Sequence, residues 1–259
     1  MDKAALSADE AVADIVSGSS LAVGGFGWCG VPTVLIEAIR SRGVSELEVI
    51  SNNCGADGWG LAILLAERRI TRVVASFFGD NREFARQYLD GELEVEITPQ
   101  GTLAERLRAA GAGIPGFFTP TGVGTLVQEG GLVWRFDSSG APMVVSPPKE
   151  TRAFTKDGKR ADFVFEEALP ADFGLVRAAV GDRHGNLVFH SSAKNFNPLA
   201  AMAGRITIAE VERLVEPGEI DPDLVHLPGI FVDRVVELSP AEVSAKQIEK
   251  RMVKGMVKS

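Results

Sequence analysis

The sequence is poor in several things that whole classes of protein depend on. Two cysteines, Cys29 and Cys54, cannot form a disulfide framework, and a chain of this size does not need one. Both are read as reduced thiols. The three histidines, His184, His190 and His226, lack the spacing of metal ligands, so no metal site is expected. No apolar run approaches the roughly 18 to 20 residues of a membrane-spanning helix. The opening MDKAALSADE carries Asp2, Asp9 and Glu10 where a secretory signal would be basic and then apolar. A soluble, cytoplasmic protein is expected.

Positive charge is also in deficit, with 27 Lys and Arg against 35 Asp and Glu and a net charge of −8. Nucleic-acid binding would need a basic stripe working against that field. The one candidate, Lys246, Lys250, Arg251, Lys254 and Lys258, is short and reads as a solvated tail. What the chain does have is apolar material. Its 259 residues are 45% hydrophobic, with mean hydropathy +0.09, which suffices for one large α/β core.

Ser7 and Glu10 have capping-box spacing and predict a helix from Ser7 to Ser17. Ser20 to Val23 reads as a strand stopped by Gly24-Gly25. Pro32, suited to a first helical turn, opens a helix carrying Leu35, Ala38 and Ile39. The same grammar repeats with strands at Leu47 to Ser51, Ile70 to Phe77 and Glu92 to Ile97, and helices at Gly60 to Arg68, Asn81 to Leu89 and Thr102 to Ala110. Helices alternating with short β-branched runs predict an open, mostly parallel, Rossmann-like α/β sheet covered on both faces. The seven glycines and two prolines of GAGIPGFFTPTGVGTLVQEGG exclude a regular element on this reading. Leu132 to Arg160 reads as a polar excursion containing a hairpin. Strands are expected again at Phe173 to Val180, Leu187 to His190, Ile206 to Val211 and Ile230 to Leu238. With no repeat and no linker, residues 1–259 are read as one domain.

Ligands of open parallel sheets bind beyond the carboxyl ends of the strands. Three post-strand loops should therefore converge: Gly24-Gly25-Phe26-Gly27-Trp28-Cys29-Gly30-Val31-Pro32, then Ser51-Asn52-Asn53-Cys54-Gly55, then Thr98-Pro99-Gln100-Gly101-Thr102. The first satisfies G-x-G-x-x-G between a strand and a helix. The second strand, however, ends in Ser51-Asn52-Asn53, where a dinucleotide-binding domain presents an acid to the ribose, and Asp57 lies further on. The loop reads better as backbone N–H groups near a ligand oxygen, with Phe26 and Trp28 as walls, although a turn needed only for chain geometry also explains the glycines. Asn52, Asn53 and Gln100 place neutral amides at the same edge. Such groups can steady a carbonyl oxygen as it becomes an oxyanion, while turn formation is the plainer role, strongest for Asn53. Neither cysteine has a neighbouring base in sequence.

These residues resemble the family I coenzyme A transferases. The A-subunit signature there runs through three apolar residues into G-G-F-x-x-x-G-x-P, and Ser17 to Pro32 departs from it only at Ser17. The resemblance extends through ISNNCG, ITPQGTLAERLRAAGAGIPGFFTPTGVGT, KNFNPLAAMAGRITIAEVE and VEPGEIDPDLVHLPGIFVDRVV, blocks similar to A subunits of 3-oxoacid and 3-oxoadipate CoA-transferases. It implies a CoA-binding loop at Gly24, Gly25, Phe26, Gly27, Trp28, Cys29 and Gly30, with Asn52, Asn53, Gln100 and Gly101 lining the reacting carbonyl. It also implies a CoA thioester as substrate, no tightly bound cofactor, and ping-pong chemistry through a glutamate on a B subunit, in an A2B2 assembly. Only Glu129-Gly130-Gly131 and Glu216-Pro217-Gly218 come near that glutamate's motif here, and neither matches it, so no catalytic nucleophile is expected in this chain. The competing readings are a CoA-ester hydrolase of the same fold, a nucleotide-binding oxidoreductase and a non-catalytic CoA-binding subunit.

Overall fold

The computed structural model describes residues 2–79 and 81–245, so the basic run from Lys246 onward lies outside the described residues. The first half alternates as expected: α1 (Ala8–Ala11), β1 (Ser20–Val23), α2 (Thr33–Arg42), β2 (Leu47–Ile50), α3 (Ala62–Ala66), β3 (Ile70–Ala75), α4 (Arg82–Leu89), β4 (Glu94–Ile97) and α5 (Gln100–Gly111). A middle segment follows, with β5 (Gly116–Thr119), α6 (Leu126–Glu129), β6 (Val133–Phe136), β7 (Pro142–Val145), β8 (Thr151–Lys156) and β9 (Lys159–Glu167). The chain then returns through β10 (Ala171–Asp182), β11 (Leu187–Val188), α7 (Asn197–Ala203), β12 (Gly204–Val215), β13 (Arg234–Glu237) and α8 (Pro240–Ser244). Among the described residues no helix is long and apolar enough to cross a membrane.

The main sheet has the order β13-β12-β10-β1-β2-β3-β4, with every neighbouring pair parallel, and β11 is added antiparallel to β10. The chain builds outward from β1 to β4 on one side, then restarts beside β1 with β10 and builds the other way. The order thus reverses between β1 and β10, and the crevice at such a reversal is where open sheets bind ligands. The glycine loop leaves the sheet at that point.

Side-chain alternation along the strands divides the core in two. Leu21, Val23, Val49, Val73 and Val95 point to one face and pack with Leu35, Ile36 and Ile39 of α2, Leu64 and Leu65 of α3 and Phe84 of α4. Ala22, Ile50, Val74, Val176 and Ala209 point to the other, against Leu103 and Leu107 of α5 and Ala200 and Ala201 of α7. Each fully buried Leu or Ile stabilises the fold by about 1.5–3 kcal/mol relative to exposure. The second face carries small residues because the helices come close: a Cβ at Gly174 would lie 2.7 Å from the Ala200 carbonyl oxygen.

Several expectations are corrected. The helix expected to Ser17 stops at Ala11, where i→i−3 bonds from Ala13 and Ile15 tighten the chain into turns. Its capping box is displaced, since Ser7 accepts from the Glu10 N–H while Glu10 reaches back to the Leu6 N–H rather than to Ser7. The glycine-rich stretch does contain regular elements, β5 and α6. β5 forms because β9 supplies its partners, from Gly116 opposite Glu167 to Thr119 opposite Val164, while Gly113, Gly122, Gly124, Gly130 and Gly131 fall at positive-φ positions outside the elements. The excursion is two hairpins, β6–β7 and β8–β9, and the second joins β5 in a three-stranded sheet. Arg106 of α5, held by Glu96 and the Glu167 carbonyl, fastens that sheet to the body. Of the expected strand Ile230 to Leu238, only Arg234–Glu237 is strand, because Gly229–Phe231 coils into a 3₁₀ turn.

Candidate active site

The glycine loop is a narrow turn. The Phe26 N–H donates to the Cys29 carbonyl at 3.1 Å and the Cys29 N–H returns to Phe26 at 3.0 Å, with Gly27 and Trp28 at the tip. Gly27 has φ +57°, at the first central position that a two-residue II′ turn reserves for glycine. Phe26 stands 47% exposed at the sheet edge.

The turn is braced from below by the segment before α7. Asn197 is fully buried; its amide N–H₂ donates to the carbonyls of Gly30 and Ala193, and its oxygen accepts the Arg177 N–H. Asn195 adds a bond of 3.1 Å to the Cys29 carbonyl. The fit requires glycine, since a Cβ at Gly24 would lie 2.0 Å from Asn197 Oδ1 and one at Gly30 2.7 Å from Asn197 Nδ2. Sequence reading did not assign Asn195 or Asn197 a role. The only local signal, Asn-Phe-Asn-Pro, reads equally well as an ordinary helix start.

The helix after the loop does not offer its N-terminus to a ligand. The N–H groups of Val34 and Leu35 both donate to Glu210 Oε2 at 3.0 Å, and the other carboxylate oxygen is 3.2 Å from Arg177 Nη1. Burial pushes the Glu210 carboxyl up to about 7, against the pull of Arg177 and the two amides. A dinucleotide's pyrophosphate needs those N–H groups, and here a carboxylate from β12 holds them. The oxidoreductase reading fails on that contact.

The three predicted amides form one chain. Gln100 Nε2 donates to Asn52 Oδ1 at 2.7 Å, Asn52 Nδ2 donates to Asn53 Oδ1 at 3.2 Å, and Asn53 Nδ2 donates to the Gly27 carbonyl at 3.3 Å. Ser76, just past β3, donates to the same Asn52 oxygen at 2.8 Å. Asn52 and Asn53 are buried at 3% and 7% exposure, whereas Gln100 is exposed and is the first residue of α5 rather than part of a loop. Gly101 lies exposed in the same first turn, and a Cβ there would meet nothing within 4 Å. The fold itself does not demand a glycine at that position.

Nucleophiles are scarce at this edge. Burial pushes the Cys54 thiol up to about 12, so it stays protonated and inert. Cys29 is half-buried, with the Ser192 hydroxyl 3.8 Å from its sulfur. Asp57 lines a cleft of about 570 Å³ with Trp28, Phe78, Asn81 and Arg82, but its carboxylate accepts the Arg82 N–H at 2.7 Å and so caps α4. His226 accepts the Phe189 N–H through Nδ1 in the second half of the chain. No group of three metal-binding side chains occurs among the described residues.

Residues 5–238 match the family model described as Coenzyme A transferase. The chain is 61% identical to the A subunit of the probable succinyl-CoA:3-ketoacid coenzyme A transferase of Mycobacterium tuberculosis strain H37Rv, over 98% of this chain and 100% of that one. It is 50% identical to the A subunit of the corresponding probable enzyme of Bacillus subtilis, over 98% and 96%. Among solved structures, the acyl-CoA transferase YdiF of Escherichia coli O157:H7 superposes with TM-score 0.74 at 25% identity, over 93% of this chain and 48% of that one. This chain therefore spans about half the length of that protein. The decarboxylase AibA/AibB superposes with TM-score 0.71 at 25% identity, over 97% of this chain and 92% of that one.

Proposed function

The chain belongs to the coenzyme A transferase family, and from that premise we propose that it is the A subunit of a 3-oxoacid CoA-transferase. In this reading it moves CoA between succinyl-CoA and a 3-oxo acid, together with a B subunit that carries the catalytic carboxylate. The observation that carries the reading is the amide chain from Gln100 through Asn52 and Asn53 to Gly27. It gathers three strand ends into one polar edge, and the carboxylates of Asp57 and Glu210 at that edge are already committed as helix caps.

Neutral amides suit this chemistry. A carboxylate oxygen attacks the thioester carbonyl, the C–S bond breaks, and the thiolate leaves an acyl anhydride. The thiolate then attacks the enzyme's own carbonyl of that anhydride and expels the first acid, forming an enzyme–CoA thioester. The second acid reverses the sequence and leaves as its CoA ester. Both attacks place negative charge on a carbonyl oxygen. An amide N–H stabilises that charge without ion-pairing to the nucleophilic carboxylate, as a Lys or Arg would. Each amide nitrogen has two donors. Gln100, being exposed, is the one placed to meet substrate, while the buried Asn52 and Asn53 orient it. The loop from Gly24 to Gly30 would lie along the CoA thioester, with Phe26 and Trp28 as apolar walls. Two free thiols fit a cytoplasmic setting, which belongs to the same reading.

The test is reconstitution. Succinyl-CoA and acetoacetate should give no turnover with this chain alone and should turn over once the B subunit is added, with the native mass of an A2B2 complex. Robust transfer by the isolated chain would sink the half-enzyme reading, and CoA release without an acceptor acid would identify a hydrolase instead.

A further inference from the structure

The order β5-β9-β8 leaves β8 at the edge of the small sheet. The β8–β9 hairpin turns through Asp157 and Gly158, both at positive φ, as a two-residue I′ turn does. At the other end of the hairpin the Phe165 N–H donates to the Glu150 carbonyl at 2.8 Å. Hydrogen-bonded pairs alternate along an antiparallel ladder, so residues 150, 152, 154 and 156 bond inward to β9. The N–H and C=O groups of Thr151, Ala153 and Thr155 therefore point outward, and no loop or cap among the described residues bonds them. Proteins blunt such an edge with a bulge or a proline. The β8–β9 ladder has no bulge, and β8 has no proline.

Alternation gives this sheet two unlike faces. The buried Val164 and Glu166 lie on the face turned toward the body. Phe118, Phe154, Phe163 and Phe165 share the other face, where Phe118 meets Phe165 at 5.2 Å between ring centroids and Phe154 at 5.3 Å, and Phe154 meets Phe163 at 5.3 Å. The Arg152 guanidinium lies 5.1 Å from the Phe118 ring. This aromatic row runs out to the free edge, where Phe154 is 39% exposed.

We propose that β8 pairs antiparallel with β8 of a second copy of this chain, about a two-fold axis at Ala153. Along this edge the sequence Glu-Thr-Arg-Ala-Phe-Thr-Lys is complementary to its own reverse. With the axis at Ala153, that residue meets its own copy and Thr151 meets Thr155. These are the residues with outward N–H and C=O groups, so each pair can exchange both backbone bonds. Moving the axis by one residue would set inward-bonded groups opposite each other. Arg152 then comes opposite Phe154 in a non-hydrogen-bonded pair, where side chains lie closest, and can cover that ring as it covers Phe118. Glu150 comes opposite position 156, where the sequence has a lysine. Opposite charges, paired threonines and a cation beside an aromatic ring all favour cross-strand pairing. A contact between unlike subunits needs no such self-complementarity, whereas a two-fold contact between copies does. The product is one six-stranded sheet with a continuous aromatic face. The proposal goes beyond the transferase reading and does not depend on it; in an A2B2 assembly this is the A–A contact.

The experiment measures the native mass of the isolated full chain by light scattering. At micromolar concentration the wild type should have twice the chain mass of 27.6 kDa, and Ala153→Pro should have 27.6 kDa. Proline is tolerated where an edge N–H faces outward, so the circular dichroism of this variant should match the wild type. Ala153→Cys fixes the register and stands in for the proline variant should that one fail to fold. Its two copies would lie about 5.5 Å apart between Cα atoms, within the roughly 4.4–6.8 Å of a disulfide. Mild oxidation should therefore link two chains. Thr155→Cys, with its copies roughly 13 Å apart, four residue rises along the edge, should not link, and neither should the wild type. A monomeric wild type, a dimer that survives Ala153→Pro, or linkage through position 155 in place of 153 would overturn the proposal. Loss of B-subunit binding in Ala153→Pro, with the A dimer kept, would assign the edge to the B subunit and overturn it as well.

Discussion

Asn52 Oδ1 accepts from Gln100 Nε2 at 2.7 Å, across the end of the intervening strand, whose own Ser76 hydroxyl reaches the same oxygen at 2.8 Å. One carbonyl oxygen thereby links the ends of β2, β3 and β4. The Asn52 amide nitrogen passes the connection to Asn53 and so to the glycine turn after β1.

Gln100→Ala should lower kcat of the A–B complex by about 10²–10³-fold, the usual effect of losing one oxyanion donor, with little change in the unfolding midpoint because the side chain is exposed. Asn52→Ala should lose activity and also stability, since the buried Asn53 Oδ1 loses its donor, while the Ser76 hydroxyl keeps the backbone carbonyl of residue 52. Steady-state kinetics beside urea unfolding separate the two; equal destabilisation by both variants would contradict the division between contact and support.

Asn197→Ala should cost about 2 kcal/mol, because the buried N–H of Arg177 loses its acceptor while the Gly30 carbonyl and the half-buried Ala193 carbonyl each lose one donor, and a buried group left unsatisfied costs about 1–3 kcal/mol. Urea unfolding measures it. KM for the CoA substrate should rise in the same variant, since the glycine turn loses its brace.

Gly101→Ala offers a clean separation of fold from function. A Cβ meets no atom within 4 Å, and alanine is up to about 1 kcal/mol more favourable in a helix, so thermal stability should hold or rise by a few degrees. If substrate approaches the first turn of α5 closely, activity should nevertheless fall at least tenfold. Unchanged activity would remove Gly101 from the site.

Glu210→Gln should alter the pH dependence of stability. Burial raises the native carboxyl to about 7 from a usual value near 4.5, so the folded state holds this proton more tightly than the unfolded one. The corresponding stability is present below about pH 4.5 and is lost as pH rises to about 7, with a slope of at most about 1.4 kcal/mol per pH unit. Thermal melts between pH 4.5 and 8 should show that slope in the wild type and not in the glutamine variant.

The parts of this molecule legible in sequence were those decided locally. α4 begins where Asn81 caps it, accepting the Phe84 N–H at 2.9 Å, and the three ligand loops follow strands marked by apolar runs. What escaped depends on partners distant in the chain. β5 is a strand only because β9 lies beside it, so the glycines and prolines around it misled. Asn197 and Glu210 look ordinary in their own segments, one at a helix start and one in a strand, and acquire meaning only when folding brings them to Gly30 and to the start of α2. Asn52, Asn53 and Gln100 were legible as amides at post-strand positions, whereas their hydrogen-bond order was not, because it is a property of three segments together.

The contact between Glu210 and the first turn of α2 makes this carboxylate a permanent tenant of the scaffold's anion seat. Any redesign toward a phosphate-bearing cofactor would have to evict it first. Eviction would free the Val34 and Leu35 N–H groups and leave the Arg177 guanidinium beside them with Glu212 as its remaining carboxylate partner, so the vacated seat would come with a cation already at hand. A single side chain, carried by a strand remote in sequence from the glycine motif, thus closes the seat that the motif alone suggests is open.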